Sequence, residues 1–236
     1  MSSKRTIFLI LVLSFIFLVV SFFVIGEKEK NLRARMEIKP SLKLPAPHLK
    51  SKTSVEQALS KRRSVRTYKD EPLTIEQISQ LCWSAQGITS DWGGRTAPSA
   101  GAKYPLEVFL VVENVDGLDP GVYHYNPSDH SLRKKIDGDK REDLYASALW
   151  QKPVIRAPVN FVISGVYERT MKKYGERGKR YVHMEVGHVC QNIYLQAEAL
   201  NLGTVVIGAF DDQKVKKVLN LKKEEPFAIM PVGRKK

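Results

Sequence analysis

The stretch Lys61-Arg62-Arg63-Ser64-Val65-Arg66-Thr67-Tyr68 places three arginines and a serine hydroxyl within five residues. Guanidinium groups form bidentate, charge-assisted hydrogen bonds to phosphate oxygens, and a serine hydroxyl can add one more. The pattern therefore predicts a segment that holds a phosphate. Taken alone, the octamer is more typical of a solvated basic surface or a nucleic-acid patch, so its meaning depends on the rest of the chain.

Three further segments carry the small or basic residues that a phosphate-containing ligand needs. The sequence has no Gly-x-Gly-x-x-Gly after a strand and no Walker A loop, so the common nucleotide loops are excluded. Instead, residues 97–105 form a small-residue turn that opens into a strand, and residues 206–212 pass from a strand into a capped helix. Residues 231–236 close the chain with Arg234. Small side chains let a backbone approach a flat ligand closely, although each segment alone also fits an ordinary loop.

Hydrophobic periodicity predicts the secondary structure of the folded part. Helices are predicted at residues 54–59, from residue 74 onward, and at residues 140–150, 179–201 and 211–219, with Thr74 opening a capping box. Strands are predicted at residues 107–113, 121–125, 131–136, 159–166, 204–210 and 227–232. Helices come first and strands are interleaved, which predicts an α+β fold, a mixed sheet flanked by helices, rather than a βαβ repeat.

Composition limits the class of protein. The 236-residue chain has 43% hydrophobic residues and a formal charge of +13, which suits one domain with appendages and a real core. The charge would suit nucleic acid or an anionic membrane, but the basic residues are scattered and no nucleic-acid-binding motif accompanies them, so no nucleic-acid partner is predicted. Cys82 and Cys190 lie far apart in helix-like stretches and are expected to be buried free thiols.

The N-terminal region predicts a membrane anchor. Residues 7–25 are apolar apart from two serines and are long enough to span a bilayer. Charged residues come directly after them without a small-residue cleavage site, which favours an uncleaved single-pass anchor over a removed signal peptide. Counting positive charges favours a cytoplasmic domain, although a basic N-terminus is also typical of an anchor that exports the domain behind it. We expect an anchor over residues 1–26, a proline-containing tether over 27–52 and a folded domain over 53–236.

Five motifs together give the chain a family likeness. They are Arg-Arg-Ser-x-Arg from residue 62, Pro-Ser-Ala-Gly from 98, Gly-His-x-x-Gln-Asn from 187, Ile-Gly-Ala-Phe-Asp-Asp from 207 and Pro-Val-Gly-Arg from 231. In order and spacing the chain resembles the nitroreductase superfamily of FMN enzymes from about residue 54 to its end. It looks most like the SagB-type dehydrogenases, whose best-understood members oxidise thiazoline and oxazoline rings of modified peptides to azoles. The resemblance implies an FMN site at a homodimer interface.

The same resemblance assigns cofactor contacts. Four residues would hold the FMN phosphate and ribityl chain or the pyrimidine edge, and a fifth would add to the phosphate site: Arg62, Arg63, Ser64 and Arg66, then Arg234. A second set would line the flavin from the neighbouring subunit: Pro98, Ser99, Ala100 and Gly101. Gly208 and Ala209 would lie beside the flavin N5 atom, where hydride enters and leaves. Asn192, on the interface helix with His188 and Gln191, would be a packing or flavin-proximal group.

The catalytic candidates depend on the resemblance as well. In the azoline oxidases a Lys-Tyr pair lies ahead of the interface helix and contributes to catalysis, so Lys173 and Tyr174 become candidates for proton removal and substrate orientation. A lysine acts as a base only when neutral, which burial near other cations favours. The run also fits a surface charge cluster in a loop. His183, Glu185 and His188 lack the His-Glu-x-x-His spacing of a zinc site, and no metal is expected.

The leading hypothesis is a membrane-anchored, homodimeric FMN-dependent oxidoreductase that transfers hydride between an organic substrate and flavin N5. Azoline-to-azole oxidation is its specific form. One alternative is a nitro or quinone reductase that takes electrons from NADH or NADPH, and another is a membrane-tethered flavin-binding module without chemistry. The chain lacks the large N-terminal peptide-binding portion of many azoline oxidases. The candidate substrates are therefore a small molecule and a modified peptide.

Overall fold

A computed structural model describes residues 41–236 of the protein, and these residues fold around a seven-stranded sheet. The strands are β1 (Ser41–Lys43), β2 (Leu106–Val112), β3 (Gly121–Asn126), β4 (Ser131–Asp137), β5 (Val159–Gly165), β6 (Leu202–Thr204) and β7 (Glu225–Arg234). They lie in the order β1-β4-β3-β2-β5-β7-β6, and each neighbouring pair is antiparallel.

Helices cover both faces of this sheet. They are α1 (Val55–Lys61), α2 (Ile75–Gln86), α3 (Arg141–Ser147), α4 (Lys152–Arg156), α5 (Tyr167–Tyr174), α6 (Arg177–Ala199) and α7 (Asp212–Leu219), with a 3-10 turn at Ala100–Ala102. The predicted α+β fold, a sheet flanked by helices, is confirmed, and the sheet is antiparallel rather than mixed.

Alternation along the strands divides the core into two layers. In β2, Val108 and Leu110 pack into a cluster with α2 and α6, whereas Phe109 and Val111 pack into a second cluster with α3 and α7. Successive side chains of a strand point to opposite faces, so a strand buried on both faces reads as a continuous apolar run. The apolar run from Val108 to Val112 therefore marks a central strand.

Helix α6 is the element that connects the candidate site residues. Its buried residues include Val182, Val189, Ile193 and Ala197, which recur at helical spacing on the face toward the sheet. The opposite face is exposed at Met184, among others. The helix thus has one side fixed in the core and one side free to carry function.

Thr74 caps α2 with the predicted capping box. Its hydroxyl accepts a hydrogen bond from the Gln77 backbone N–H at 3.3 Å, and the Gln77 side chain accepts one from the Thr74 N–H at 3.0 Å. Thr74→Ala is expected to lower the free energy of unfolding by about 1 kcal/mol, because an N–H at the helix start loses its acceptor. Urea unfolding measures the loss. The exposed Thr67→Ala is the control, and equal midpoints for Thr74→Ala and wild type would contradict the cap.

The predicted tether over residues 27–52 extends too far. Strand β1 pairs with β4, Leu44 is 4% exposed, and the His48 N–H donates to the Gln80 side chain at 2.8 Å. A strand of three residues between Pro40 and Pro45 is too short to show alternation, so the proline content dominated the prediction. Residues 41–48 belong to the folded domain.

Two other predictions differ from the structure near the site. The strand predicted over residues 204–210 ends at Thr204; beyond it Ile207 forms an isolated bridge with Ile229, and Gly208 and Ala209 are exposed. Conversely, the Lys-Lys-Tyr run, which also fitted a loop, forms the end of α5. That helix stops at Gly175, whose φ of 57° favours glycine.

Within residues 41–236, no helix is long and apolar enough to cross a membrane. The anchor predicted over residues 1–26 lies outside the described residues. The predicted single-pass membrane localisation is not supported by any helix of residues 41–236.

Candidate active site

Tyr194 on α6 joins the arginine stretch to the strand end that precedes Gly208. Its hydroxyl lies 3.0 Å from Ser64 Oγ and accepts a hydrogen bond from the Val206 N–H at 2.9 Å. The Arg62 guanidinium carbon lies 5.0 Å from the centre of the Tyr194 ring, a cation–π contact. Two segments that are far apart in sequence thus meet on one aromatic side chain.

The backbone strengthens this junction. The Val65 N–H donates to the Thr204 carbonyl at 2.9 Å, and Ser64 forms a parallel bridge with Thr204. A Cβ on Gly203 would lie 2.6 Å from a Val65 methyl group, so the glycine allows the close approach. The predicted phosphate segment is held against the end of β6.

The arginines of this segment keep their charge available. Arg63 donates to the carbonyls of Ser60 and Arg62 at 3.0 and 2.8 Å, and both Arg63 and Arg66 are exposed. In the part of the chain that the structure describes, none of Arg62, Arg63 and Arg66 forms an ion pair with a carboxylate. Unneutralised guanidinium groups on a fixed backbone fit an anionic ligand such as a phosphate.

The loop after β6 presents free backbone donors. Gly208 and Ala209 are exposed, and a Cβ built on Gly208 meets no atom within 4 Å. Their N–H groups have no acceptor among residues 41–236, whereas the Ala209 carbonyl accepts from Gln151 Nε2 at 2.8 Å. The loop is therefore fixed at one carbonyl while two of its N–H groups have no partner among the described residues, as a ring-shaped ligand would require.

Arg234 lies in the neighbouring strand end but is directed elsewhere. Its Nε donates to the Pro72 carbonyl at 3.1 Å and lies 3.4 Å from a Glu71 carboxylate oxygen. Its carbonyl accepts from the Lys69 N–H at 3.0 Å, next to the arginine stretch. The Arg234 side chain therefore does not point to the predicted phosphate site, because it pairs with Glu71. Only the Arg234 backbone lies next to the arginine stretch.

The second candidate group is built on Gly101. A Cβ on this residue would lie 2.6 Å from Tyr174 Oη and 3.0 Å from Lys173 Nζ. Gly101 has a φ of 59°, and the next residue, Ala102, has a φ of 52°. Lys173 Nζ lies 5.3 Å from the centre of the Tyr174 ring. The structure therefore places the Pro98–Gly101 turn against the predicted Lys-Tyr pair.

The two groups occupy different halves of α6. The turn meets the helix at Glu185, and the arginine stretch meets it at Tyr194, nine residues later. At the rise of an α-helix this separates them by about 14 Å along the axis. Within one chain, the predicted flavin contacts thus form two clusters rather than one closed pocket.

Asn192 lies between the clusters. Its Nδ2 donates to the Thr96 carbonyl at 3.2 Å, and it lines a cavity of about 360 Å³ together with Trp83 and Leu195. The other polar residues of the helix point apart. His183 is exposed and its Nε2 lies 2.5 Å from the Tyr167 hydroxyl, whereas Glu185 is buried at 2% exposure.

Glu185 is a buried carboxyl beneath the Pro98–Gly101 turn. Burial raises its pKa to about 7, while hydrogen bonds from Ser99 and Gln86 and the charge of Arg95 act in the opposite direction. Burial also lowers the pKa of Arg95, whose Nε has no hydrogen-bond partner among the described residues. Titratable groups with such shifts cluster at functional sites.

Glu185 makes folding stability depend on pH. The folded-state pKa of Glu185, about 7, lies above the ordinary value of 4.5. The stability that Glu185 contributes is therefore complete below pH 4.5 and is lost as the pH rises toward 7. Between these limits the free energy of unfolding is expected to fall by about 3 kcal/mol. Glu185→Gln should remove this fall in urea unfolding at pH 5 and pH 8. The exposed Glu168→Gln is the control, and an unchanged slope in Glu185→Gln would contradict the assignment.

Sequence reasoning missed three residues of these clusters. Tyr194 lies three residues after Gln191, so its place on the helix face was readable from spacing, but its partners were not. Glu185 was weighed as a metal ligand because it lies between two histidines. Arg95 carried no signal, since a lone arginine in a Gly-rich loop is typical of solvent-exposed sequence.

Comparison with known proteins identifies the family. The sequence profile of the Nitroreductase family matches residues 59–234. A protein of Methanocaldococcus jannaschii named as a nitroreductase, MJ1384, is 48% identical over 181 residues, covering 77% of this chain and 91% of that protein. The family match spans both clusters of candidate residues.

Two further matches involve microcin synthesis in Escherichia coli. The microcin B17-processing protein McbC is 34% identical over 157 residues, which cover 63% of this chain and 57% of McbC. A chain of the microcin synthetase McbBCD complex, solved with truncated pro-MccB17 bound, superposes with a TM-score of 0.63 at 28% identity, covering 86% of this chain and 80% of that one. The chain thus spans just over half of the length of McbC. This chain belongs to the nitroreductase family.

Proposed function

We propose that this protein is an FMN-dependent oxidoreductase that oxidises an azoline ring of a modified peptide to an azole. The observation that carries the proposal is the placement of Lys173 and Tyr174 against Gly101. Two segments that are far apart in sequence, a turn expected at the flavin and a pair expected at the substrate, lie in contact. Membership of the nitroreductase family supports the oxidoreductase class.

The residues around Tyr194 fit FMN. Arg62, Arg63 and Arg66 are free of ion pairs within the described part, and Ser64 offers a hydroxyl, so they would hold the phosphate and ribityl chain. The open N–H groups of Gly208 and Ala209 would lie at the flavin ring. Bound FMN would supply a two-electron acceptor for hydride. Arg234 would join the phosphate site only by leaving Glu71, so we give it a secondary role.

A homodimer would complete the site. The exposed face of α6 and the adjoining α1 carry apolar side chains, with Met184 53%, Leu59 53% and Val55 64% exposed. Gly187 lies on the same face, and a Cβ there would meet no atom within 4 Å, so a second helix could approach closely. Pairing these faces would bring the turn of one subunit to the arginine cluster of the other. This accounts for two clusters that are about 14 Å apart along the helix in one chain.

Lys173 and Tyr174 would handle the proton of the substrate. Oxidation of an azoline to an azole removes one proton and one hydride from the ring, so it needs a base as well as a hydride acceptor. Lys173 extends from the end of α5 next to Gly101 and over the Tyr174 ring. Tyr174 packs edge-on against Tyr181 at 5.1 Å, which fixes its ring. Lys173 is exposed in the single chain, so the burial that favours its neutral form would come from bound FMN and the second subunit. We assign proton removal to Lys173 and substrate orientation to Tyr174.

The peptide substrate is supported by the relatives. McbC is named for processing microcin B17, and the McbBCD structure holds a truncated pro-MccB17. The similarity to this chain spans 157 residues and 57% of McbC. We therefore propose the substrate class, an azoline-containing peptide, without assigning its sequence.

Anaerobic reduction of the flavin tests the proposal. The full chain, loaded with FMN, is mixed with a synthetic thiazoline peptide, with NADPH and with NADH. We expect the thiazoline peptide to bleach the flavin and to gain a thiazole, detected as a loss of two hydrogens by mass spectrometry. Rapid bleaching by a nicotinamide without thiazole formation would contradict the substrate class and would identify a nitro or quinone reductase.

A further inference from the structure

A buried polar cluster supports the Pro98–Gly101 turn from below, and the proposed function does not use it. The Ser99 hydroxyl lies beside the Glu185 carboxyl on α6, and Gln86 Nε2 lies 3.5 Å from Glu185 Oε1. Gln86 Oε1 in turn accepts from Arg95 Nη1 at 2.8 Å. We call these four residues, Glu185, Gln86, Arg95 and Ser99, the turn-support cluster. A carboxyl is kept in the core by partners such as these.

Ser99 transmits this support to the far end of the turn. Its Oγ accepts a hydrogen bond from the Tyr104 N–H at 2.9 Å, which leaves its own proton available to the neighbouring Glu185 carboxyl. A hydroxyl offers one donor and two acceptor positions, so both bonds can exist at once. One side chain therefore joins the α6 carboxyl to the closing N–H of the turn.

The turn needs such support because its backbone is strained. Ala102 and Tyr104 have φ values of 52° and 45°, and neither is glycine. Residues in this region persist only where surrounding contacts hold them, and they cluster at functional sites. Here the strained residues follow Gly101, the residue that Lys173 and Tyr174 approach closely.

A second contact holds the turn from its other side. The Arg95 guanidinium carbon lies 4.4 Å from the centre of the Tyr104 ring, and the Tyr104 carbonyl accepts from Arg169 Nη1 at 3.2 Å. Arg95 is the charged group that faces Glu185, and Glu107 and Arg169 face Arg95 in turn. The turn thus lies between a carboxyl below it and two guanidinium groups beside it.

We propose that Glu185 is a positioning residue, which holds the Ser99–Tyr104 turn in its left-handed conformation and thereby sets Gly101 as the platform for Lys173 and Tyr174. The part that concerns Lys173 and Tyr174 rests on the proposed function. The hold on the turn itself does not, because it involves only Glu185, Ser99 and the Tyr104 N–H. Glu185 takes no part in the transfer of a proton or hydride.

Hydrogen exchange of the Tyr104 amide tests the hold without any flavin. In the full chain, Glu185→Leu removes the acceptor for Ser99, and the Tyr104 N–H is expected to exchange about tenfold faster at pH 7. Glu185→Gln keeps an acceptor oxygen and is expected to stay within about threefold of wild type. Unchanged protection in Glu185→Leu, or equal acceleration in Glu185→Gln, would overturn the proposal.

Ser99→Ala keeps the test decisive if Glu185→Leu fails to fold. It removes the hydroxyl that accepts from Tyr104 without placing an apolar group in the polar cluster. The Tyr104 amide should then exchange as fast as in Glu185→Leu, about tenfold above wild type. An exchange rate equal to that of wild type would contradict the linking role of Ser99, and with it the hold by Glu185.

Turnover with the thiazoline peptide tests the platform. In Glu185→Leu, kcat is expected to fall about tenfold while KM and flavin content stay near wild type, because the turn rather than the binding site is loosened. In wild type, kcat should change with pH near 7, since burial raises the pKa of Glu185 to about 7, and Glu185→Gln should lose that step. A wild type without flavin or turnover would contradict the proposed function but not the exchange result. An effect of Glu185→Leu on KM alone, with kcat unchanged, would overturn the platform role.

Discussion

Lys173→Ala is expected to lower kcat for the thiazoline peptide by about 10²- to 10⁴-fold, the usual contribution of a positioned general base. The substituted side chain lies at the end of α5 and its Nζ is placed next to Gly101. It is exposed and fills no part of the core, so the fold should be retained. Steady-state turnover, followed by the gain of absorbance of the azole, measures the loss.

Lys172 supplies the matched control for this substitution. It is the preceding residue of the same helix and is also exposed, but it has no contact with Gly101 in the structure. Lys172→Ala changes the local charge by the same amount and should retain turnover within about threefold of wild type. Equal losses in the two variants would mean that the charge of the helix end matters rather than a base. Full activity in Lys173→Ala would remove Lys173 from the mechanism.

The double variant Arg62→Ala with Arg66→Ala is expected to weaken FMN binding by about 10²- to 10³-fold, because each guanidinium would lose charge-assisted hydrogen bonds to the phosphate. Neither arginine takes part in an ion pair within the described residues, so the folded state should lose little. Arg62 also contacts the Tyr194 ring at 5.0 Å, and a small loss of stability is expected from that site. Fluorescence titration of the apoprotein with FMN gives the dissociation constants of wild type and of the double variant.

Lys61→Ala is the control for the arginine variant. Lys61 lies in the last turn of α1, one residue before Arg62, and is exposed. If general attraction by the basic surface were responsible, Lys61→Ala would weaken FMN binding as much as a single arginine change, and the effect would vanish at high salt. A change of less than about threefold in Lys61→Ala, with a retained arginine effect in salt, is the expected outcome.

The sequence predicts those features of the fold that depend on local pattern. The capping box at Thr74, the apolar run of β2 and the stripe of α6 are confirmed, because each depends on spacing within one element. Cys82 and Cys190 are buried free thiols, as expected from their helical surroundings. Short irregular segments were less predictable: β1 has three residues between prolines, and its position is set by pairing with β4.

The candidate site depends on contacts that no local pattern contains. Tyr194 meets Ser64 and Val206 only because α6 crosses the sheet beside β6. Gly101 meets Tyr174 because the turn before β2 and the end of α5 lie at one end of the domain. The order of the motifs in the sequence predicts that these segments belong to one site. It does not predict their division into two clusters, which results from the length and direction of α6.

Flavin content of the full chain is the measurement that bears most directly on the central claim. The protein is purified, incubated with excess FMN, dialysed and measured by absorption spectroscopy. We expect one FMN per chain to be retained, with a flavin spectrum that the thiazoline peptide bleaches under anaerobic conditions. A colourless protein after dialysis, which takes up no FMN in titration although it is folded, would contradict the assignment of an FMN site.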